Sequence, residues 1–188
     1  MFERFTKAAK DLVRGAAERA ERAGDPYITT EHLLRQLLTA SGTPGAVVLA
    51  AAGIDSEERR GAVERDLNEA RRRGGLTRSD AEALAGIGID VAEVVDRVES
   101  AHGRGALARP RSWWKGRTRF DGDAKNVLEH SLRVATGRGD KAIGDEHILL
   151  ALTAARGIPA EVLADHGATY AAVEAALPAV QRAAVASG

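Results

Sequence analysis

The 188-residue chain contains no cysteine, and only 4% of its residues are aromatic. The absence of cysteine excludes disulfide bonds and thiolate metal ligands, and it fits a reducing compartment. No apolar run approaches the roughly 18 residues that a membrane-spanning helix needs, and the charged start, MFERFTKAAK, is unlike a secretory signal. These absences predict a soluble, cytoplasmic protein that does not enter a membrane.

The chain also lacks net charge, because 27 Lys and Arg residues balance 27 Asp and Glu residues. The cations are unevenly placed, so the remainder of the chain is net acidic. This distribution argues against nucleic acid as a partner, since a nucleic-acid-binding domain is broadly basic. One short segment without any acid carries six of the cations: Arg104, Arg109, Arg111, Lys115, Arg117 and Arg119.

Two segments of the chain are copies of each other. PYITTEHLLRQL begins at Pro26, and KAIGDEHILLAL begins at Lys141. The same register places Phe5 on Phe120, and a one-residue gap then places Leu49 on Leu163. Repeats of this kind are the signature of a duplicated structural unit. We therefore predict a tandem duplication.

The sequence of each copy predicts four helices. In the first copy, an apolar stripe from Phe5 ends at Gly24, a second helix begins at Thr29 or Thr30, and Pro44 opens a third. Asp55 or Ser56 caps a long fourth helix that Gly74 ends. The second copy is expected to follow with helices over residues 121–136, 145–155, 159–165 and 169–184. No segment has the pattern of a strand.

The insertion between the copies has helical patterning of its own. Ser79 is expected to cap a short helix and Asp90 a longer one, and the basic stretch RGALARPRSWWKGRTR follows as a loop. We predict an all-α, pseudo-twofold tandem repeat of two four-helix units. Its parts are a first repeat over residues 1–75, a connector over 76–117 and a second repeat over 118–188, with the repeats packed as one domain.

These motifs resemble the N-terminal domain of the Clp (Hsp100) unfoldases, particularly the ClpC type. MFERFTKAAKDLV resembles the start of that domain, and YITTEHLLRQLL and AIGDEHILLALT resemble its two IGTEHILLGL motifs. The resemblance covers residues 1–73 and 118–182, so the long connector is a departure from the family's short link. The sequence has no G-x-x-x-x-G-K-[ST] loop for ATP. We therefore expect a protein similar to the stand-alone Clp N-domain proteins of actinobacteria.

The repeated acid-histidine pair first suggests metal binding or catalysis. Neighbouring helical side chains such as Glu31 and His32 point about 100° apart, and no H-E-x-x-H pattern is present. No serine or cysteine nucleophile is set beside a base either. For His32 and His147 we favour packing with a hydrogen bond to the backbone, and we expect neither a metal, a cofactor nor an enzyme.

The resemblance implies a role for the glutamates, because in ClpC-type domains the glutamate of this motif lies in a pocket for phosphoarginine. The implied ligand-binding residues are Thr30 and Glu31 in the first copy and Glu146 in the second. A carboxylate holds a guanidinium in a two-pronged bond, and helix N-terminal amides face the phosphate. Asp145 replaces the threonine in the second copy, so repulsion is expected to weaken binding there.

The resemblance also implies that Phe2 and Phe120 match aromatic residues bound by cyclic-peptide antibiotics such as cyclomarin. Packing at the start of a helix is the alternative, and we favour it for Phe120. In the basic segment, Trp113, Trp114 and Arg111 either anchor a solvated loop or form a docking element, because tryptophan and arginine are enriched in interface hot spots.

Together these features predict a non-catalytic recognition domain of Clp-dependent proteolysis. It would bind degradation-marked substrates or adaptors, and deliver them to a Clp ATPase or compete with it. The alternative is sequestration of cyclic-peptide antibiotics that target the unfoldase.

Overall fold

The structure, a computed structural model, describes the backbone of residues 2–108 and 118–186 and the side chains of 3–108 and 118–178. The predicted all-α fold is confirmed, with four helices per copy and a helical insertion between the copies. The division of the chain at residues 75 and 117 stays a prediction. The helices are α1 (Lys7–Ala23), α2 (Thr30–Thr39), α3 (Pro44–Ala51), α4 (Glu57–Arg72), α5 (Arg78–Gly86), α6 (Val91–His102), α7 (Gly122–Gly137), α8 (Asp145–Thr153), α9 (Ile158–Asp165) and α10 (Tyr170–Ala186).

Most helix ends follow the local signals of the sequence. The Ser56 side chain accepts a hydrogen bond from the Arg59 amide at the start of α4, and Gly24 ends α1 with a left-handed φ of 70°. The start of α5 is the exception. Thr77, not Ser79, is its cap, because the Thr77 hydroxyl and the Asp80 carboxylate each accept the other residue's amide at 3.0 Å.

Two short parallel pairings, which the sequence analysis missed, join the copies. Strand β1 (Tyr27–Ile28) pairs with β2 (Arg119–Phe120), so that Ile28 lies opposite Phe120. Phe5 forms the equivalent bridge with Ile143. These pairings are related by the register of the repeat. Each copy therefore completes the other, and two-residue strands leave no periodicity for a sequence pattern to show.

The copies also share one hydrophobic core. Helix α3 of the first copy packs against α8 and α10 of the second, and α9 of the second packs against α4 of the first. Leu33, Leu49, Leu149 and Leu163 are completely buried in this common core. Because burying a leucine contributes roughly 1.5–3 kcal/mol, much of each copy's stabilisation depends on the other.

The connector is fastened to both copies. Val91 and Val95 of α6 are buried, and Arg72 of α4 binds Glu99 of α6 through two nitrogens, with Nη2 at 2.6 Å from Oε2. At its other end, the backbone amide of Arg78 donates to Glu161 of α9. The connector therefore bridges α4 and α9.

No helix in the described parts of the chain is long and apolar enough to span a membrane alone; α8 and α9 meet the length and hydropathy criteria only as a pair bent by 93°.

Candidate functional site

A cleft of about 200 Å³ lies where the start of α2 meets the second copy. The first copy contributes Thr30 and Glu31 to its lining, and the second contributes Asp121, Asp123 and the segment from Arg156 to Pro159. The reciprocal strand pairing explains this arrangement, because β1 leads into α2 and β2 leads into α7. Two predicted ligand-binding residues, Thr30 and Glu31, are therefore brought together at a concave surface.

Arg35 holds the Glu31 carboxylate by one oxygen. Its Nε and Nη2 donate to Oε1 of Glu31 at 3.0 and 2.8 Å, and the same guanidinium also binds Glu64 and Asn68 of α4. Oε2 of Glu31 and the Thr30 hydroxyl make no hydrogen bond to any described residue. Arg35 thus fixes the glutamate while leaving one carboxylate oxygen for a ligand.

His32 lines the cleft but has a structural role. Its Nδ1 accepts a hydrogen bond from the Thr29 amide at 3.1 Å, and its Nε2 lies 3.2 Å from Asp25, which Arg71 also binds. Because an amide only donates, the ring proton must be on Nε2. Burial lowers the pKa of His32 and keeps the ring neutral. The expected backbone bond is confirmed.

The second copy repeats this histidine arrangement, with Nδ1 of His147 accepting from the Gly144 amide at 2.9 Å and Nε2 at 2.9 Å from Asp140. No group of histidines and carboxylates suited to a metal occurs in the described part of the chain. Both histidines cap their own helices.

The glutamate of the second copy is folded inward. Glu146 is only 8% exposed, and its carboxyl group lies directly over Gly144, where a Cβ atom would collide with it. Thr29 occupies the equivalent position of the first copy. The same inward conformation would therefore bring Glu31 into collision with the Thr29 side chain. The sequence does contain this difference, but it becomes meaningful only once the side-chain direction is known.

Asp145 is buried beside Glu146. It is 1% exposed and packs over Gly45 of α3, where a Cβ atom would lie 2.6 Å from its Oδ2. Asp145 Oδ1 and Glu146 Oε2 are buried without a hydrogen-bond partner. Burial, with the nearby Asp145 charge, raises the pKa of Glu146 to about 7. The structure thus places Glu146 in the interior rather than at a surface for ligands.

Phe120 packs partly buried against the core and lines a separate groove of about 420 Å³, together with Lys10, Val13 and Arg14 of α1. The favoured packing of Phe120 is therefore observed, and part of its ring also faces this groove. The other predicted contacts, namely the side chain of Phe2 and residues Arg111, Trp113 and Trp114, lie outside the described residues.

Comparison with known proteins agrees with this geometry. The chain is 27% identical over 176 residues to the chaperone protein ClpB of Corynebacterium diphtheriae, covering 94% of this chain and 16% of ClpB. It is 30% identical to the chloroplastic chaperone protein ClpC2 of Oryza sativa subsp. japonica, covering 89% of this chain and 14% of ClpC2. The chain therefore spans only a small part of these relatives.

The fold matches the N-terminal domain of the caseinolytic-protease-associated chaperone ClpD from Arabidopsis thaliana, with a TM-score of 0.54 at 19% identity over 97% of both chains. The family described as the Clp repeat (R) N-terminal domain matches residues 4–82, 74–166 and 119–183. These matches cover nearly the whole chain and both copies, so the chain belongs to the family of Clp repeat N-terminal domains.

Proposed function

We propose that this chain is a non-catalytic recognition domain of Clp-dependent proteolysis, and that its cleft binds degradation-marked proteins or their adaptors. The observation that carries the proposal is the cleft between the copies. There the Thr30 hydroxyl, Oε2 of Glu31 and the Arg156 guanidinium have no partner among the described residues. Polar groups that converge on a concave surface without internal partners are typical of a binding site.

Phosphoarginine is the degradation mark that suits these groups. Oε2 of Glu31 can accept from the guanidinium, and the Thr30 hydroxyl and the first amides of α2 can donate to the phosphate. Arg35 restricts the carboxylate before the ligand arrives, which lowers the entropy lost on binding. His32 offers no base to such a ligand, because both ring nitrogens already have partners. The cleft is therefore arranged for binding rather than for hydrolysis.

Calorimetry with phosphoarginine tests this proposal. Glu31→Gln should weaken binding on the order of ten-fold or more, since a charge-assisted bond to the guanidinium is lost. The matched control is Glu146→Gln, which changes the buried equivalent and should leave the affinity unchanged. Absence of binding to the wild-type chain, or equal affinity for Glu31→Gln, would contradict the proposal.

Delivery and competition are distinguished by adding the chain to a Clp ATPase with its peptidase and an arginine-phosphorylated substrate. An accessory that delivers substrates raises the degradation rate, and a competitor lowers it. Glu31→Gln should remove either effect, because both depend on the same cleft.

A second proposed function, sequestration of cyclic-peptide antibiotics, is favoured by the Phe120 groove. Its apolar wall of Val13 and Phe120 is flanked by Lys10 and Arg14, a combination suited to a largely apolar ligand with exposed carbonyl groups. Phe120→Ala should abolish binding of cyclomarin, and Phe2→Ala should weaken it. Unchanged affinity in both variants would remove this groove as the binding surface.

A further inference from the structure

We infer that the cleft selects ligands that carry an anionic and a cationic group together, with Arg156 receiving the anion and Asp123 assisting Glu31 with the cation. This inference rests on the proposed function, since it concerns the same cleft. Arg156 and Asp123 lie outside the repeated motif, on the wall of the cleft that the second copy supplies.

Among the described residues that line the cleft, Arg156 is the arginine without an internal carboxylate partner. The other arginine in the cleft, Arg71, is bound to the buried carboxylate of Asp25 at 2.5 Å. Arg156 is exposed in the loop before α9, and it makes no ion pair or hydrogen bond with any described residue. An anionic group that enters the cleft therefore has a guanidinium to meet, and a guanidinium binds phosphate or carboxylate through two parallel bonds.

Carboxylate oxygens of Glu31, Asp121 and Asp123 in the same cleft also have no partner among the described residues. Asp25 is held through Oδ2 by Arg71 and His32. Asp121 accepts the Ala124 amide at 2.7 Å through Oδ1 as the cap of α7, which leaves its Oδ2 without a described partner. Asp123, which is exposed in the first turn of α7, has no partner among the described residues, and neither has Oε2 of Glu31.

Among the described residues, internal pairing thus leaves the Arg156 guanidinium and carboxylate oxygens of Glu31, Asp121 and Asp123 lining the cleft. An anion alone would be repelled by the carboxylates, and a cation alone would be repelled by Arg156. A ligand that carries both charges pairs with each, and it avoids both repulsions. Phosphoarginine in a peptide has this character, because its phosphate and guanidinium are adjacent.

The register of the repeat shows that the charged residues Asp123 and Arg156 occur in the second copy and have no counterpart in the first. Ala8 occupies the position equivalent to Asp123, and Ser41 or Gly42, on either side of the one-residue gap, the position equivalent to Arg156. The other copy therefore has neither side chain, whereas it retains the glutamate. The charge selection proposed here was added to one cleft of a duplicated fold.

The test compares phosphoarginine and arginine, both blocked at the α-amino and α-carboxyl groups, with inorganic phosphate by calorimetry on the wild type, Arg156→Gln, Arg156→Lys and Asp123→Ala. The wild type should prefer phosphoarginine to arginine on the order of ten-fold or more. Arg156→Gln should lose most of that preference without weakening arginine, and Arg156→Lys should restore part of it. Asp123→Ala should weaken arginine and phosphoarginine alike. Arg133→Gln, an exposed change on α7, is the matched control.

The outcomes separate the two proposals. If the wild type binds phosphoarginine but Arg156→Gln keeps the full preference over arginine, the charge selection is wrong and the proposed function stands. If the wild type does not bind phosphoarginine, the proposed function fails and the charge selection fails with it.

Discussion

Thr29 and Gly144 occupy equivalent positions just before α2 and α8, and they set the direction of the glutamate that follows. Glu146 lies over Gly144, which has no side chain to obstruct it, whereas Glu31 turns outward to Arg35. The Thr29 side chain thus obstructs in the first copy the position that the glutamate occupies in the second, and Arg35 holds Glu31 in the alternative one. The Asp145 substitution reinforces this difference, because its carboxylate is itself buried over Gly45.

Gly144→Ala should destabilise the protein by about 0.5–1.5 kcal/mol, since its Cβ would force the flexible end of the Glu146 side chain into another conformation. The backbone at Gly144 is extended, with φ −90° and ψ 172°, so the cost is steric and does not arise from the backbone. Urea unfolding measures the change. Gly137→Ala, where nothing lies near the added atom, should not destabilise; an equal loss in both variants would count against the explanation.

Glu146 should make the stability depend on pH. Its pKa is raised from 4.5 to about 7 in the folded protein, so the folded state holds its proton more tightly than the unfolded state. The free energy of unfolding should therefore fall as pH rises from about 4.5 to 7, by on the order of 2–3 kcal/mol from this group. Glu146→Gln should flatten the profile in this range, whereas the exposed Glu129→Gln should not. A wild-type profile that rises with pH and is unchanged by Glu146→Gln would refute this.

At this scale the sequence predicted the histidine bonds, because they follow from a motif on one helix. The roles of Thr30 and Glu31 in ligand binding stay predictions. The sequence did not reveal Arg156, which reaches the cleft from a different copy. A lone exposed arginine before Gly157 has no pattern that marks it, and only the packing of α9 against the first copy brings it to the cleft.

Among the elements, the inserted α6 is attached to α4 by Arg72, which pairs with Glu99 at 2.6 Å and with Asp96 at 3.5 Å. Two-pronged hydrogen bonding from Arg72, together with the Gly105 amide, lowers the pKa of Glu99 to about 2. A lowered carboxylate pKa means that this attachment is fully present above about pH 4.5 and is lost as the pH falls towards 2. The same bonds hold the turn that follows α6.

Glu99→Gln should loosen α6 without unfolding the repeats. We expect faster hydrogen exchange of the amides in α6, since the shortest ion pair between α6 and α4 is lost and the longer pair of Arg72 with Asp96 remains beside the buried Val91 and Val95. Exchange in α2 and α8 should be unchanged. Glu93→Gln, an exposed change on the same helix, is the control, and equal protection of α6 in both variants would show that the Arg72 pair does not hold it.

Helix positions were largely predictable because caps and apolar spacing act over a few residues. The predicted cap of α5, Ser79, was wrong by two residues, since Thr77 caps the helix in a reciprocal pair with Asp80. The Ser79 hydroxyl instead donates to Glu161. The strands were not predictable, because each two-residue segment is defined only by a partner in the other copy.

Over the whole molecule, the copies are interlocked rather than merely adjacent. Helix α3 illustrates this, because it belongs to the first copy by sequence but packs against α8 and α10 of the second. The duplication predicted two similar units, and it could not show that each unit completes its core with the other's third helix. Such reciprocal packing should make the repeats unfold in one step.

Leu49→Ala tests this coupling, since Leu49 of α3 is completely buried. We expect a loss of about 2–5 kcal/mol, with one unfolding transition and equal loss of hydrogen-exchange protection in α2 and α8. Protection retained in α8 while α2 loses it would show that the copies are independent.

The two copies, alike in fold, should be unequal in ligand binding. The stoichiometry of phosphoarginine binding, measured by calorimetry on the wild type and on the two glutamate variants, tests this difference most directly. We predict one site per chain, weakened by Glu31→Gln and insensitive to Glu146→Gln. Two sites per chain, or a site that depends on Glu146, would show that the second copy binds the ligand as well.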